Sequence, residues 1–151
     1  MTTVAIPNLS VSPVLPADLD MVNGLERLCF KDPYPSHFIA QLKQRNPDTF
    51  LVASVDGDLV GYAVVNRGSD HDHLVSIAVH PAWRNRGIGT RLILALEERL
   101  GERRPFRLEV RKGNLPAIEF YRGTGFNEIG FVDRYYSDGE DAVLMEKPSP
   151  P

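Results

Sequence analysis

The stretch from Ser76 to Thr90 constrains the fold of this chain more than any other part of its sequence. A near-continuous apolar run, residues 74–79, leads into a loop that ends in Gly87-Ile88-Gly89. From there, apolar residues recur every third or fourth position, which is the period of an amphipathic helix: Ile88, Leu92, Ile93, Leu96 and Leu100. The apolar run predicts a strand that is buried on both faces. A buried strand that passes through a glycine loop into a helix is typical of an α/β protein.

The other periodic segments extend this strand and helix into a mixed sheet. Asp56-Gly57, between two β-rich runs, predicts a hairpin. Strands are predicted at residues 9–15, 49–55, 59–66, 74–79, 106–110, 129–134 and 142–146. Helices are predicted from Pro16, with an apolar stripe of Leu19, Val22, Leu25 and Leu28, from Ser36 as N-cap to before Pro47, from residues 87–89, and at 115–123. The order β-α-α-β-β-β-α-β-α-β-β predicts a mixed α/β (α+β) sheet with helices on both faces.

Size and composition narrow the class of protein. The 151 residues fit a single domain, 1–151, whose ends at 1–8 and 148–151 are expected to be flexible. The formal net charge of −3 argues against broad nucleic-acid binding, which needs a surplus of basic side chains. The single cysteine, Cys29, excludes an intramolecular disulfide and a cysteine-rich metal site. Because neither a secretory signal nor a run of about 20 apolar residues is found, we expect a cytoplasmic protein that does not enter a membrane.

The glycine loop is a candidate anion site. The first turn of a helix has backbone N–H groups without partners in the helix, and its dipole favours negative charge. Glycines let a pyrophosphate approach that backbone, and Arg84 and Arg86 add positive charge. A Walker loop is excluded because Gly89 is followed by Thr90-Arg91, and a dinucleotide fingerprint is excluded because Leu92 stands where a third glycine is needed. A tight turn that binds nothing remains the alternative.

A resemblance to a known family supports the anion site. Residues 84–89, Arg84-Asn85-Arg86-Gly87-Ile88-Gly89, resemble the Q/R-x-x-G-x-G/A signature of GNAT acetyltransferases. The resemblance implies the GNAT fold, with a central sheet splayed between the strands at 74–79 and 106–110, and acetyl-CoA as cosubstrate. The implied contacts to acetyl-CoA are Ile77, Ala78 and Val79 through the strand backbone, then Arg84, Asn85, Arg86, Gly87, Ile88, Gly89 and Thr90 at the pyrophosphate, and finally Asn114 and Tyr121.

Two further segments resemble a narrower group within that family. Residues 108–126 resemble the L-E-V-R-x-x-N-x-x-A-I-x-x-Y…G-F pattern of protein N-terminal acetyltransferases. Residues 134–142, Arg134-Tyr135-Tyr136-Ser137-Asp138-Gly139-Glu140-Asp141-Ala142, resemble the Y-Y-x-D-G-E-D-A segment of the RimI (ribosomal-protein-alanine) type and its archaeal relatives. The resemblance therefore implies transfer of an acetyl group to the N-terminal α-amine of proteins, with ribosomal proteins among the possible substrates.

The same resemblance implies roles for three catalytic candidates. Glu109 matches a glutamate that acts as general base, and Tyr121 matches a tyrosine that meets the departing sulfur. His73 matches a histidine that is an alternative base. Each has a plain structural alternative: a surface glutamate, a tyrosine that packs its helix, and a solvated histidine. Asn114 could contact the cofactor, cap the following helix, or do both. No spacing of His or carboxylate residues predicts a metal site.

Two loops are implied to form the walls of the peptide groove. One carries Pro33 and Tyr34, and the other carries Tyr135 and Tyr136 between the last two strands. Since adjacent strand residues face opposite ways, one of the two last tyrosines is expected to lie in the core. We interpret Cys29 as a packing residue. Alternatives are a GNAT enzyme that acts on a small amine or lysine side chain, or a non-catalytic acetyl-CoA-binding subunit, and an accessory protein partner is possible.

Overall fold

The structure, a computed structural model, describes residues 6–102 and 104–149. Within these residues the predicted order of strands and helices is confirmed. The strands are β1 (Leu9–Pro13), β2 (Phe50–Val55), β3 (Asp58–Asn66), β4 (Asp72–Val79), β5 (Phe106–Arg111), β6 (Asn127–Val132) and β7 (Ala142–Lys147). The α-helices are α1 (Leu19–Cys29), α2 (Ser36–Arg45), α3 (Ile88–Leu100) and α4 (Leu115–Gly123). The expected flexibility of the ends falls partly on residues 1–5 and 150–151, outside the described residues.

The strands follow the order β1-β2-β3-β4-β5-β7-β6 in the sheet. The described chain divides into two compact units, residues 6–66 with 75–101 and residues 67–74 with 102 and 104–149. Strand β4 contributes its first three residues to the second unit and the rest to the first. The prediction of a single domain stays a prediction.

In the first unit, helices cover both faces of the β2–β3 hairpin, as predicted. Tyr62 is buried with α1 and α2 residues, whereas a Cβ at Gly61 would lie 3.5 Å from side-chain atoms of Ile88 and Leu92 in α3. Consecutive strand residues point to opposite faces, so α3 lies across the hairpin from α1 and α2. At the turn, Asp56 and Gly57 have φ values of 51° and 85°, as an Asp-Gly hairpin requires.

In the second unit, β7 lies between two antiparallel neighbours, β5 and β6. Strand β5 also pairs in parallel with β4, at Asp72–Phe106 and His73–Arg107. Both of these pairs lie at the beginning of their strands. Helix α4 buries Ile118, and Phe126, which follows it, is buried with its ring centroid 5.3 Å from that of Phe106.

Several details differ from the sequence predictions. Strand β4 is not buried on both faces, because buried and half-buried residues alternate along it. An apolar run alone cannot distinguish these two cases. Helix α2 has Pro35, not Ser36, as its N-cap, and Leu28 is 56% exposed although it continues the apolar period of α1. Strand β6 begins two residues before the predicted start and ends two residues before the predicted end.

Candidate active site

The predicted anion site is a loop in the first unit that leads from β4 into α3. A single 3-10 turn, Pro81–Trp83, follows β4, and the chain then takes left-handed conformations at Asn85 (φ 61°) and Gly87 (φ 85°). Glycine adopts this conformation without strain, and asparagine tolerates it better than most residues. Asn85 and Gly87 are therefore residue types that suit the left-handed conformations of this loop.

The N-terminus of α3 directly follows this loop. Its N-cap, Gly87, has no side chain, and the first hydrogen bond of the helix runs from the Arg91 N–H to the Gly87 carbonyl at 3.0 Å. The N–H groups of residues 88–90 precede that bond, so they can donate to an anion. The residues present therefore fit a pyrophosphate, which is the group that the resemblance implies here.

The two arginines of the loop have separate contacts in the first unit. Arg84 donates from Nε to the Val79 carbonyl at 3.0 Å and from Nη2 to the Cys29 Sγ at 3.4 Å. The Arg86 guanidinium lies 4.6 Å from the ring centroid of Trp83. Arg84 thus ties the end of β4 to the end of α1. Cys29 itself is half-buried and packs against the core of the unit, as expected for a packing residue.

In the second unit the structure brings together His73, Glu109 and Tyr135. Nε2 of His73 lies 3.0 and 2.9 Å from Oε1 and Oε2 of Glu109, and the Tyr135 hydroxyl donates to Oε1 at 3.0 Å. The parallel register explains the first contact, because His73 pairs with Arg107 and Glu109 is two residues farther along the same face of β5. Three residues that the sequence singled out separately therefore form one cluster.

The cluster keeps the Glu109 carboxylate ionised. Partial burial raises the pKa of Glu109, but the hydrogen bonds from His73 and Tyr135 and the charge of His73 outweigh it, so this pKa lies below its ordinary value. A carboxylate only accepts hydrogen bonds, so Nε2 of His73 must carry the proton that it shares with Glu109. In a neutral imidazole, Nδ1 is then the acceptor nitrogen.

The second unit also holds Tyr121, Asn114 and the two tyrosines of the last loop. Tyr121 lies in α4 with its ring edge-on to Phe126 at 5.8 Å, and burial raises its pKa, so its phenol stays protonated at neutral pH. Asn114 caps α4 by accepting the Ala117 N–H at 3.3 Å. Tyr135 and Tyr136 lie in the loop between β6 and β7, exposed and half-buried respectively. Neither is in the core, because both follow the end of β6 and no strand alternation applies.

The other predicted groove loop, between α1 and α2, rests on a residue that the sequence analysis missed. Pro33 and Tyr34 are exposed, and the Tyr34 N–H donates to Oε2 of Glu26 at 2.9 Å. Glu26 is buried, and Oε1 also accepts the hydroxyls of Tyr62 and Ser76. The signal was present in the sequence, since Glu26 is four residues after Val22 and so lies on the apolar stripe of α1.

Similarity to known proteins decides the family. The sequence matches the acetyltransferase (GNAT) family over residues 19–126, which is more than half of the chain. The protein belongs to the GNAT acetyltransferases. It is 36% identical over 150 residues to an N-alpha-acetyltransferase of Sulfurisphaera tokodaii, a match that covers 87% of each chain.

Two solved structures resemble this acetyltransferase over most of its length. Ard1 from Thermoplasma volcanium has a TM-score of 0.90 at 27% identity, covering 95% of this chain and 99% of the other. The ribosomal-protein-S18-alanine N-acetyltransferase from Escherichia coli has a TM-score of 0.84 at 28% identity, covering 95% of each chain. The two predictions, a GNAT fold and an acetyl-CoA-dependent N-acetyltransferase, are therefore confirmed.

The described part of the acetyltransferase has neither a cluster of metal-ligating side chains nor a helix suited to a membrane. In the part of the chain that the structure describes, His, Cys, Asp and Glu side chains form no group of three or more that could coordinate a metal ion. Every helix among the described residues is too short or too polar to pass through a lipid bilayer.

Proposed function

We propose that this acetyltransferase transfers the acetyl group of acetyl-CoA to the N-terminal α-amine of proteins. The observation that carries the proposal is the 36% identity to an N-alpha-acetyltransferase across 87% of both chains. The cluster of His73, Glu109 and Tyr135 supports it, because acyl transfer to an amine needs a proton acceptor beside the attacking nitrogen.

The substrate amine sets how strong that acceptor must be. A protein α-amine has an ordinary pKa near 7.7–8.0, against about 10.4 for the lysine side chain. A useful fraction of α-amines is therefore neutral at physiological pH, and a modest base is enough to remove the proton that the nitrogen loses on attack. This difference favours an N-terminal substrate over a lysine side chain.

We propose that His73 and Glu109 act as one base. The lowered pKa of Glu109 makes its carboxylate a poor proton acceptor at neutral pH. With Nε2 of His73 directed at Glu109, Nδ1 of the imidazole can take the proton from the amine, directly or through water. Glu109 then orients the ring and stabilises the imidazolium, as a carboxylate does in a hydrolase triad.

The leaving group also needs a partner. Bound acetyl-CoA supplies the acetyl group as a thioester, and attack by the amine nitrogen forms the amide C–N bond while the C–S bond breaks. We propose that the Tyr121 hydroxyl donates to the departing sulfur. Burial holds this phenol in its protonated form, so it is a hydrogen-bond donor throughout the neutral range.

Binding of acetyl-CoA is assigned to the residues that the family signature indicates. In the first unit these are the backbone of Ile77, Ala78 and Val79 and the loop of residues 84–90, where the conformations of Asn85 and Gly87 and the start of α3 favour an anion. In the second unit they are Asn114 and Tyr121. Since the family match runs through both units, we also propose that they constitute one catalytic domain.

The substrate is proposed in more detail from the relatives. The Escherichia coli protein is named for the alanine of ribosomal protein S18, so ribosomal proteins with N-terminal alanine are candidate substrates. The loops with Pro33 and Tyr34 and with Tyr135 and Tyr136 are proposed to contact the peptide, with an accessory protein as a further possible partner. We propose a cytoplasmic location, because a chain with one cysteine has none of the intramolecular disulfides that are common in secreted proteins.

The test is acetyl-CoA turnover, followed by thiol release, over short peptides that vary in their first two residues. N-terminally blocked peptides with a lysine are the matched controls. Turnover on free N-termini alone supports the proposal, and the preferred first residues define the substrate class. Turnover on the lysine controls alone would contradict it. Binding of acetyl-CoA without turnover of any peptide would favour a small amine or a non-catalytic role.

A further inference from the structure

Arg111, the last residue of β5, is the centre of a network of charges in the second unit. Its Nη1 donates to Oδ1 and Oδ2 of Asp138 at 3.0 and 2.9 Å and to Oε1 of Glu140 at 2.9 Å. Its guanidinium also lies over the ring of Tyr136, 4.1 Å from the centroid. The Arg111 side chain is 16% exposed, whereas those of Asp138 and Glu140 are 40% and 28% exposed, so only the Arg111 end of these charge-assisted contacts is shielded from solvent.

All three partners of Arg111 belong to one loop, residues 133–141, between β6 and β7. The connection after β5 holds the same loop from a second point. The Gly113 N–H donates to Oε2 of Glu140 at 2.8 Å, and the Lys112 N–H donates to the Asp141 carbonyl at 3.0 Å. A Cβ at Gly113 would lie 2.8 Å from Oε2 of Glu140, so a larger residue there would require the Glu140 carboxylate to shift.

The loop also has internal hydrogen bonds that shape it around Tyr136. The Tyr136 N–H donates to the Glu140 carbonyl at 3.1 Å, and the Gly139 N–H donates to the Tyr136 carbonyl at 2.9 Å. Gly139 has a φ of 88°, which glycine adopts without strain. The bonds that fix Asp138 and Glu140 to Arg111 therefore also fix Tyr136 and its neighbour Tyr135.

Tyr135 connects the loop of residues 133–141 to Glu109, which is part of the proposed base. Its hydroxyl donates to Oε1 of Glu109 at 3.0 Å, and its ring centroid is 5.0 Å from that of Tyr136. Arg111 and Glu109 lie two residues apart on β5. The chain of contacts therefore begins and ends on the same strand. Arg111 holds the loop, and the loop presents Tyr135 to Glu109.

We propose that Arg111 is a positioning residue, which holds the loop of residues 133–141 so that its two tyrosines are presented to the N-terminus of the substrate peptide. This inference rests on the function proposed above. Ordering a loop costs conformational entropy, and a loop that is already ordered in the free enzyme does not lose that entropy again when the peptide binds. Loss of Arg111 should therefore weaken peptide binding while the strands on either side of the loop remain paired.

The test compares Arg111→Met with Arg122→Gln. Methionine keeps much of the aliphatic packing of Arg111 and removes its charge. Arg122 is in α4 and pairs with Glu128 in β6, so its variant removes an ion pair of the same unit that does not involve the loop. We expect Arg111→Met to raise the KM of the best peptide about tenfold, with the KM of acetyl-CoA changed by less than about twofold. Arg122→Gln should change neither constant by more than about twofold.

Hydrogen exchange provides a readout that does not depend on activity. In Arg111→Met, amides of residues 134–140 should exchange faster, while those of β5 and β7 keep their protection. A double-mutant cycle with Asp138→Asn, which keeps an acceptor oxygen but removes the charge, should be strongly non-additive for the peptide KM. Additive effects would overturn the positioning role of Arg111 through Asp138.

The outcomes separate this inference from the proposed function. A wild-type enzyme that acetylates no free N-terminus contradicts the function, whatever Arg111 does. An active wild-type enzyme whose peptide KM is unchanged in Arg111→Met overturns the positioning role. An equal rise in the KM of acetyl-CoA, or loss of protection in β5 and β7, would also overturn it, because either indicates general disruption of the unit.

Discussion

Both carboxylate oxygens of Glu109 lie within 3.0 Å of Nε2 of His73, on the neighbouring parallel strand. The two residues are 36 positions apart in sequence, and the register of β4 against β5 brings them together. A carboxylate held in this way acts best by orienting a neighbouring base and stabilising it once protonated, because the same contacts lower its own pKa.

Removing the charge of Glu109 should slow transfer without weakening cofactor binding. In Glu109→Gln we expect kcat to fall about 100-fold, which is a common contribution of general acid–base catalysis, and the Kd of acetyl-CoA to change by less than about twofold. Glu119→Gln, an exposed position on α4, is the control. The double variant His73→Asn/Glu109→Gln should be little slower than either single variant, since residues that act as a unit are not additive. Full activity of Glu109→Gln would assign the base to another group.

The lowered pKa of Glu109 also predicts how stability changes with pH. A carboxyl whose pKa is lower in the folded than in the unfolded state stabilises the protein above the unfolded value, ordinarily 4.5 for glutamate, and loses this effect as pH falls through the folded value. The difference in unfolding free energy between wild type and Glu109→Gln should therefore shrink as pH falls below 4.5. Urea unfolding at a series of pH values measures it.

A control variant tests the cause of that pKa. In a His73→Asn background the main partner of the carboxylate is lost, so the folded-state pKa of Glu109 should rise, and the decline should become smaller and end at a higher pH. An unchanged pH dependence in this background would show that His73 is not the cause.

Gly87 should be required for its backbone conformation as well as its size. At a φ of 85°, a β-branched side chain is strained, and Gly87→Val should destabilise the fold by roughly 1–2 kcal/mol and abolish measurable acetyl-CoA binding. Gly87→Asn is the matched control, because asparagine tolerates the left-handed region. It should retain most of the stability and bind acetyl-CoA more tightly than the valine variant. Thermal unfolding and calorimetric titration measure the two effects, and equal affinities for all three proteins would contradict the assignment of the loop.

Local patterns in the sequence were sufficient for most of the fold. Helix α2 ends before Pro47 and helix α4 spans Leu115–Gly123, both as predicted, because the signals that set these ends are local. The burial of β4 could not be predicted in the same way. Whether Val75 and Ile77 are covered depends on elements far away in sequence, and an apolar run is the same in both cases.

The candidate site shows the same division between local and non-local information. Glu109 and His73 were each found by resemblance, but their contact depends on a strand register that no sequence pattern encodes. The bonds from Arg111 to the loop of residues 133–141 were missed for the same reason, since strand and loop are joined only by the fold. Residue types could be predicted from the sequence, and their pairing could not.

The buried carboxylate of Glu26 should be one of the most sensitive positions for stability. It is 2% exposed, accepts the Ser76 hydroxyl at 3.0 Å and the Tyr34 N–H at 2.9 Å, and pairs with the buried Tyr62 hydroxyl. Glu26→Ala leaves these donors without an acceptor, so we expect a loss of about 2–4 kcal/mol in the free energy of unfolding. Glu119→Ala, at an exposed position, should change it by less than about 0.5 kcal/mol.

Tyr62→Phe separates the contribution of one donor from that of the whole cluster. This variant removes a hydroxyl but leaves Glu26 with its contacts to Ser76 and Tyr34, so it should cost about 1 kcal/mol. In the Glu26→Ala background the same change should cost less or even stabilise, because it removes a buried hydroxyl that has lost its acceptor. Urea unfolding of the four proteins completes the cycle. Additive losses would mean that the Tyr62 hydroxyl and the Glu26 carboxylate contribute independently to stability, which would contradict their coupling.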